Sequence, residues 1–184
     1  MVMISAIEYA TSLIDNKYNH VLEFGVYQGG TISKLRQVLP EKYNIFGFDS
    51  FEGLPEDWSG TVCSKGFFSP GGNIPNVEGV VFFKGWFDDT ISEYLKVADD
   101  IALLHIDCDL YSSTKTIFDN LKPYIKTNTI IVFDEWIYNN NPNCNDHEQK
   151  AFYEYVNENN IKFEFINFND ITPCGNERKI VKIL

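Results

Sequence analysis

The residues of this chain best placed to do chemistry are carboxylates that end apolar runs. His105-Ile106-Asp107-Cys108-Asp109-Leu110-Tyr111 closes one such run and Phe133-Asp134-Glu135-Trp136 another. If both runs are neighbouring parallel strands, Asp107, Asp109, Asp134 and Glu135 converge above the sheet, where open α/β folds bind ligands. Carboxylates in such close quarters repel one another, and a cation or raised pKa values must relieve the repulsion. An all-oxygen donor set favours a hard ion such as Mg2+. Asp109 also precedes Ser112-Ser113-Thr114 and would suit a helix cap. His105 alternates with Asp107, so the two share a strand face. A hydrogen-bonded core histidine is the plainer reading of it, a catalytic base the sharper one. His147, beside Glu148 at the start of a helical pattern, reads as a cap or a solvated residue.

A second constellation lies earlier. Val21-Leu22-Glu23-Phe24-Gly25-Val26-Tyr27-Gln28-Gly29-Gly30-Thr31 reads as a strand, a glycine turn and the start of a helix. Gly25 can take backbone angles closed to other residues. Gly29 and Gly30, lacking Cβ, let a ligand or a packed helix come close. Glu23 offers a carboxylate near the strand's end. Asp49 ends the next apolar run at about the twenty-residue spacing of an acid that grips ribose hydroxyls. The pair proposes a nucleoside site, although Glu-x-Gly-x-x-x-Gly also occurs in ordinary strand-to-helix turns.

The elements that must position these residues follow from hydrophobic periodicity. Ile4, Ile7, Ala10 (or Thr11) and Ile14 predict a helix over 3–15. Strands are predicted over 20–24, 44–49, 80–84, 101–107, 129–134, 163–168 and 178–184. Ile32, Leu35, Val38 and Leu39 give the first crossover helix its apolar face, and Pro40 ends it. Asp88 or Asp89 would cap the helix carrying Ile91, Tyr94, Leu95 and Val97. Ser112 or Ser113 would cap the one carrying Ile117, Phe118, Leu121 and Tyr124. Residues 51–79 show no period, are rich in Gly and Pro, and hold Trp58, Phe67 and Phe68, which reads as a lid or binding loop. An Asn-rich loop over 138–145 leads to a helix through Phe152, Tyr155 and Val156. The last two strands have no helix between them, so they should pair antiparallel across a turn holding Pro173 and Gly175. The expected fold is α/β: a doubly wound, mostly parallel seven-stranded sheet with an antiparallel terminal strand, Rossmann-like, in one domain over 1–184.

Composition narrows the partners. The chain has 184 residues and a net charge of −11, which opposes binding to nucleic acid or an anionic membrane. Hydrophobic residues make up 44%, enough for a sizeable core. Cys63, Cys108, Cys144 and Cys174 are scattered without a Cys-x-x-Cys pair, which fits a reduced, cytoplasmic chain. No run is long enough to span a bilayer, and the first residues lack the pattern of a signal peptide.

Five segments together resemble the macrocin O-methyltransferase family. Leu22-Glu23-Phe24-Gly25-Val26-Tyr27-Gln28-Gly29-Gly30 is similar to its first motif and Phe48-Asp49-Ser50-Phe51-Glu52-Gly53-Leu54-Pro55 to its second. Lys84-Gly85-Trp86-Phe87-Asp88-Asp89-Thr90 resembles the segment after its third strand. Ile106-Asp107-Cys108-Asp109-Leu110-Tyr111-Ser112-Ser113-Thr114 resembles its metal-and-base segment, and Val132-Phe133-Asp134-Glu135-Trp136 its fifth-strand end. The resemblance implies a methyltransferase using S-adenosylmethionine and a divalent metal on a sugar hydroxyl; the antiparallel terminal strand is what that class adds to the dinucleotide-binding plan. It implies Glu23, Gly25 and Gly29 at the methionine part of the cofactor, Asp49 on the ribose, and Ser50 and Phe51 near the adenosine. Gly85, Trp86 and Phe87 would approach the adenine, Asp107 would sit by cofactor or metal, and Asp109, Asp134 and Glu135 would bind Mg2+. The family usually has two aspartates where this chain has Asp134-Glu135.

The expectation is an O-methyltransferase acting on a small-molecule hydroxyl acceptor, with Asp109 as first choice of base, and a homo-oligomer conceivable. A nicotinamide-dependent oxidoreductase and an inactive nucleoside-binding module are the alternatives. The first leaves the acidic strand ends unexplained.

Overall fold

Five parallel strands lie side by side because their sequences are apolar on both faces. They are β1 (His20–Phe24), β2 (Asn44–Asp49), β3 (Val80–Lys84), β4 (Ile101–Ile106) and β5 (Ile130–Ile137). With β6 (Phe163–Ile166) and β7 (Glu177–Ile183) they form one seven-stranded sheet in the order β3-β2-β1-β4-β5-β7-β6. β7 runs antiparallel to both β5 and β6. This computed structural model describes residues 5–137, 147–168 and 177–184. The expected Asn-rich loop and the turn at Pro173 and Gly175 lie outside them, as do Cys144 and Cys174.

Every residue of β1 and β4 is buried, so both faces need covering. Leu22, Phe24, Phe48, Leu104 and Ile106 face α3 (Phe87–Tyr94), α4 (Tyr111–Leu121) and α5 (Glu148–Glu158). Val21, Ile45, Leu103 and Val132 face α1 (Ala6–Ser12) and α2 (Gly30–Val38). Phe24, Phe48 and Phe83 occupy matched register positions on β1, β2 and β3. Their rings stack at 4.3 and 4.9 Å, and Phe87 meets Phe24 edge-on at 5.0 Å. That stack ties the start of α3 to the strand ends.

Three helix starts differ from expectation. α1 begins after Ser5, whose hydroxyl accepts from the Glu8 amide while Glu8 accepts from the Ser5 amide, a capping box, and the helix closes by Ser12. α3 is capped by Trp86, and Asp88 and Asp89 lie inside its first turn. α4 is capped by Leu110, with Ser112 and Ser113 already helical. In the last two cases the chain leaves the strand and enters the helix with no side-chain acceptor at the cap. The acidic first turn of α3 still complements its helix dipole.

Residues 51–79 are irregular but packed. Leu54, Trp58 and Cys63 bury themselves against Leu110 in a small apolar cluster of their own. Turn hydrogen bonds such as Gly66 N–H to Leu54 O and Gly72 N–H to Phe51 O close the loop on itself.

The tips of β1 and β4 meet at Gly25. Its φ is +92°, and a Cβ there would lie 1.7 Å from the Asp107 carbonyl oxygen. The glycine is therefore required by the approach of β4 as well as by its own turn. Gly25→Ala should lower the unfolding free energy by about 2 kcal/mol or more, because the two tips must separate. Urea melts of the purified variant check this; an unchanged midpoint would refute the contact.

Candidate functional site

A cavity of about 470 Å³ opens above the carboxyl ends of the parallel strands. Gly25, Asp49, Ser50, Trp86, Phe87, Asp107, Asp109 and Glu135 line it. Of the other residues singled out by sequence, Glu23, Phe51, His105 and Asp134 sit outside the lining: the first three are fully buried and Asp134 is turned toward β7. Gly29 packs against Pro75, with a hypothetical Cβ 2.7 Å from that ring, and Gly85 against Thr90. Neither glycine lines the cavity.

Asp49 organises the glycine turn. Its Oδ2 accepts from the amides of Val26 (2.8 Å) and Tyr27 (2.7 Å), and its Oδ1 from that of Phe51 (2.6 Å). A carboxylate has about four acceptor positions, so one remains on Oδ1 for a ligand hydroxyl. Tyr27, Phe51, Phe68 and Asp109 have φ between +51° and +66°. Among the described residues, the other non-glycine ones in that region are asparagines, which tolerate it. Backbone strain thus gathers around this cavity. At Asp109 it takes the form of a three-residue turn, closed by Leu110 N–H to Cys108 O at 2.6 Å.

Beneath the cavity runs a row of alternating charge across four strands. Glu23 on β1 meets His105 Nδ1 on β4 at 3.2 Å. His105 Nε2 lies 3.8 Å from Asp134 on β5, which Arg178 on β7 grips through Nε (2.5 Å) and Nη2 (3.2 Å). Burial alone would lower the His105 pKa, but the Asp134 carboxylate 3.8 Å away, the hydrogen bond to Glu23 and the charges of Glu23 and Asp107 raise it to about 10. At neutral pH the ring is therefore a cation and not a base, hydrogen-bonded to Glu23 through Nδ1 while Nε2 faces Asp134 at 3.8 Å, outside hydrogen-bond distance. Burial would raise Asp134, yet His105 and Arg178 hold it well below the ordinary carboxylate range.

The remaining acids behave oppositely. Burial, then the Asp134 and Asp49 charges, push Asp109 up to about 7. Asp107, Glu135 and Glu148 are also raised well above their ordinary values, each by burial first and by neighbouring carboxylates next. Asp134 and Glu135 are consecutive, yet both reach this region because β5 bulges. The four-residue step from Phe133 to Ile137 is matched by a two-residue step from Lys179 to Glu177.

Sequence reasoning missed Glu148 and Arg178. Glu148 is wholly buried at the start of α5, and its two oxygens receive the amides of Cys108 (3.4 Å) and Glu135 (3.3 Å). It thereby joins the two acidic strand tips. His147 beside it is the N-terminal cap residue of α5; its Nδ1 accepts from the Tyr111 amide and its Nε2 lies 3.2 Å from Ser59 O. Leu54, Glu56 and Phe68 line the cavity from within the expected binding loop, whereas Asp88, Ser112 and Thr116 were singled out only as caps or not at all.

A doubly wound sheet closed by an antiparallel strand, with an acid-floored cavity at its switch from β1 to β4, defines a ligand-binding α/β domain of the nucleotide-binding plan. Residues 22–136 match the family model described as a methyltransferase domain, and the chain belongs to that family. It is 26% identical over 150 residues to the 8-demethyl-8-(2,3-dimethoxy-alpha-L-rhamnosyl)-tetracenomycin-C 4'-O-methyltransferase of Streptomyces olivaceus, covering 68% of this chain and 56% of that protein. It is 27% identical over 168 residues to the demethyldecarbamoylnovobiocin O-methyltransferase of Streptomyces niveus, covering 78% and 63%. The chain thus spans less than two thirds of the length of either relative. Its fold is similar to that of CalS11, a calicheamicin methyltransferase, with a TM-score of 0.72 at 22% identity over 96% of this chain and 77% of that one. No helix among the described residues is long and apolar enough to cross a membrane.

The raised acids and His105 all bind protons more tightly folded than unfolded, so stability must fall as pH climbs from the ordinary carboxylate range toward about 10. Asp134 acts in the other sense, but only at acid pH. In chelator, the thermal midpoint should be lower at about pH 9 than at about pH 6. A midpoint that rises over this interval would contradict the assignment.

Proposed function

We propose that this chain is an S-adenosylmethionine-dependent O-methyltransferase of the macrocin type, acting on a hydroxyl of a sugar or other small molecule. The observation that carries the reading is Asp109. Among the described residues it is a cavity-lining carboxylate on a strained turn, with its pKa raised to about 7. A group with that proton affinity suits removal of a hydroxyl proton near neutral pH. The named substrates of the two curated relatives are a glycoside and a novobiocin precursor, which supports a hydroxyl acceptor here.

S-adenosylmethionine would supply an electrophilic methyl group on a sulfonium. The chain's part is to hold donor and acceptor together. The free acceptor position of Asp49 suits a ribose hydroxyl, and Trp86 and Phe87 offer ring faces and edges to an adenine. Gly25 leaves the turn narrow enough for the methionine portion to lie over the β1 tip. Holding two reactants in line supplies much of such a rate. Leu54, Pro55 and Phe68 roof the cavity from residues 51–79 and would keep water from the reacting atoms, the role expected of a lid.

The acid cluster also fits Mg2+. Asp107 and Asp134 place carboxylate oxygens within 4.8 Å of each other and of His105, and Glu135 lines the same floor. His105, as a cation, is no ligand. Asp107, Glu135 and the oxygen capacity that Arg178 leaves on Asp134 would hold the ion, so Asp107 takes the ligand place that the resemblance gave to Asp109. Mg2+ would supply positive charge that lowers the acceptor's pKa. Asp109 is then free to take the proton. The described thiols, Cys63 and Cys108, are buried and unpaired with each other, which fits a reducing, cytoplasmic setting.

Asp109→Asn should lower kcat by about 10²–10⁴ while binding of S-adenosylhomocysteine, measured by calorimetry, stays within a few fold. The wild-type rate should rise with pH as Asp109 loses its proton, at a lower pH with Mg2+ bound than the value of about 7 in the metal-free cavity. Unchanged turnover in the variant would end Asp109's part as the base.

A further inference from the structure

We infer that His147 is a positioning residue: its ring latches the loop over 51–79 and the turn that carries Asp109 to the same helix start, so that closing the cavity and aiming the Asp109 carboxylate are one event. The inference rests on Asp109 as the base of the methyl-transfer reading and adds the part that holds it.

Both ring nitrogens of His147 are engaged. Nδ1 accepts from the Tyr111 amide at 3.3 Å, which leaves the ring hydrogen on Nε2 to be donated to the Ser59 carbonyl oxygen at 3.2 Å. Tyr111 is the first residue of α4, and Leu110, the cap residue of that helix, makes no side-chain hydrogen bond to it. The first amides of a helix have no partner within it. The start of α5 therefore supplies, from another part of the chain, an acceptor that α4 lacks. His147 is half-buried and does not line the cavity, so it acts through what it holds.

On one side it holds the turn at Asp109. That residue stands at φ +66°, and a non-glycine residue stays in this region only when its surroundings fix it. Leu110 N–H donates to Cys108 O within the turn, and His147 fixes the amide that follows. On the other side it holds the loop. The Leu110 side chain is buried against Leu54, Trp58 and Cys63, and the Trp58 ring meets the His147 ring edge-on at 6.0 Å. Lifting this part of the loop would uncover Leu110 and part Nε2 from Ser59 in the same movement. Ser112 Oγ, which donates to Glu56 Oε1 at 2.5 Å, is a second tie between loop and α4. The packing of α4 on α5 runs through other residues: Phe118 stacks on Tyr155 at 4.6 Å, and Tyr111 Oη donates to Glu154 at 2.7 Å. His147 can thus be changed without unseating either helix.

The test compares the wild-type chain with His147→Phe, which fills the space without a hydrogen bond, and His147→Gln, whose amide offers an acceptor and a donor at a similar spacing. Loop opening is read without substrate, by trypsin cleavage after Lys65. That residue is exposed, but its amide is bonded to Asp57 and the next one, of Gly66, to Leu54 O, so cleavage needs local opening. Opening of the turn is read as hydrogen exchange of the Tyr111 amide. His147→Phe should speed both by about tenfold, and His147→Gln should return both to within a few fold of wild type. With S-adenosylmethionine, Mg2+ and a methyl glycoside, kcat should fall by about tenfold or more in the Phe variant and recover in the Gln variant. Affinity for S-adenosylhomocysteine should stay within a few fold throughout. A cap that served stability alone would lower the melting temperature and leave kcat of the folded chain unchanged, and that result would overturn the inference. So would acceleration of only one of the two openings. If His147→Phe does not fold, His147→Asn takes its place, because it keeps an acceptor for Tyr111 but falls short of Ser59. Faster cleavage after Lys65 would then sustain the latch, and the wild-type rate would overturn it. If the wild-type chain transfers no methyl group, joint loss and joint rescue of the two openings leave the latch standing while the methyl-transfer reading falls; any other pattern overturns the latch as well.

Discussion

The structure depends on a row of alternating charge buried across four strands: Glu23, His105, Asp134 and Arg178 on β1, β4, β5 and β7. Burial and the Asp134 charge raise the Glu23 pKa while the His105 hydrogen bond and charge oppose them, so the firmest part of the row is Asp134 held between the His105 and Arg178 cations. The row also crosses the point at which the sheet changes from parallel to antiparallel, so Arg178, on the antiparallel strand, completes a set begun on β1. The usual separation between a core that folds the chain and a site that does chemistry is therefore narrow here. The row is core, and the cavity floor is built directly on it.

Its consequence is a division of labour among the acids. Asp134 is held ionised by two cations, while Asp107, Asp109, Glu135 and Glu148 share what negative charge remains and are driven upward by burial and one another. A set of carboxylates with separated proton affinities can accept a proton at one position and bind a cation at another. The geometry that keeps them close is made from three constraints on the backbone. Gly25 admits the β4 tip, the bulge in β5 turns Asp134 and Glu135 to useful places, and Glu148 fastens both tips from α5.

Much of this was legible in the sequence. The apolar runs over 101–106 and 130–133 read as buried strands and are so, and the acids that end them stand out against them. The glycine turn and Asp49 were readable as a unit, although Asp49 spends three of its acceptor positions on backbone amides. Glu148 and Arg178 were not readable. A lone acid at a helix start and a lone arginine in a strand usually face water, and only the tertiary register buries the one and pairs the other. The helix starts after Trp86 and Leu110 were missed for a related reason: the strand exit sets them, and nearby Asp and Ser residues suggested caps that the backbone does not use. Residues 51–79 hid their order because turns and a four-residue cluster leave no period to read.

If the row of charge is real, the imidazole of His105 must carry two protons far above the pH at which a free histidine loses one. Nitrogen chemical shifts of that ring, recorded on metal-free protein at about pH 8, test this directly. The account predicts both ring nitrogens protonated, with the second proton leaving only near pH 10. A neutral tautomer at that pH, titrating near the ordinary 6.5, would contradict it.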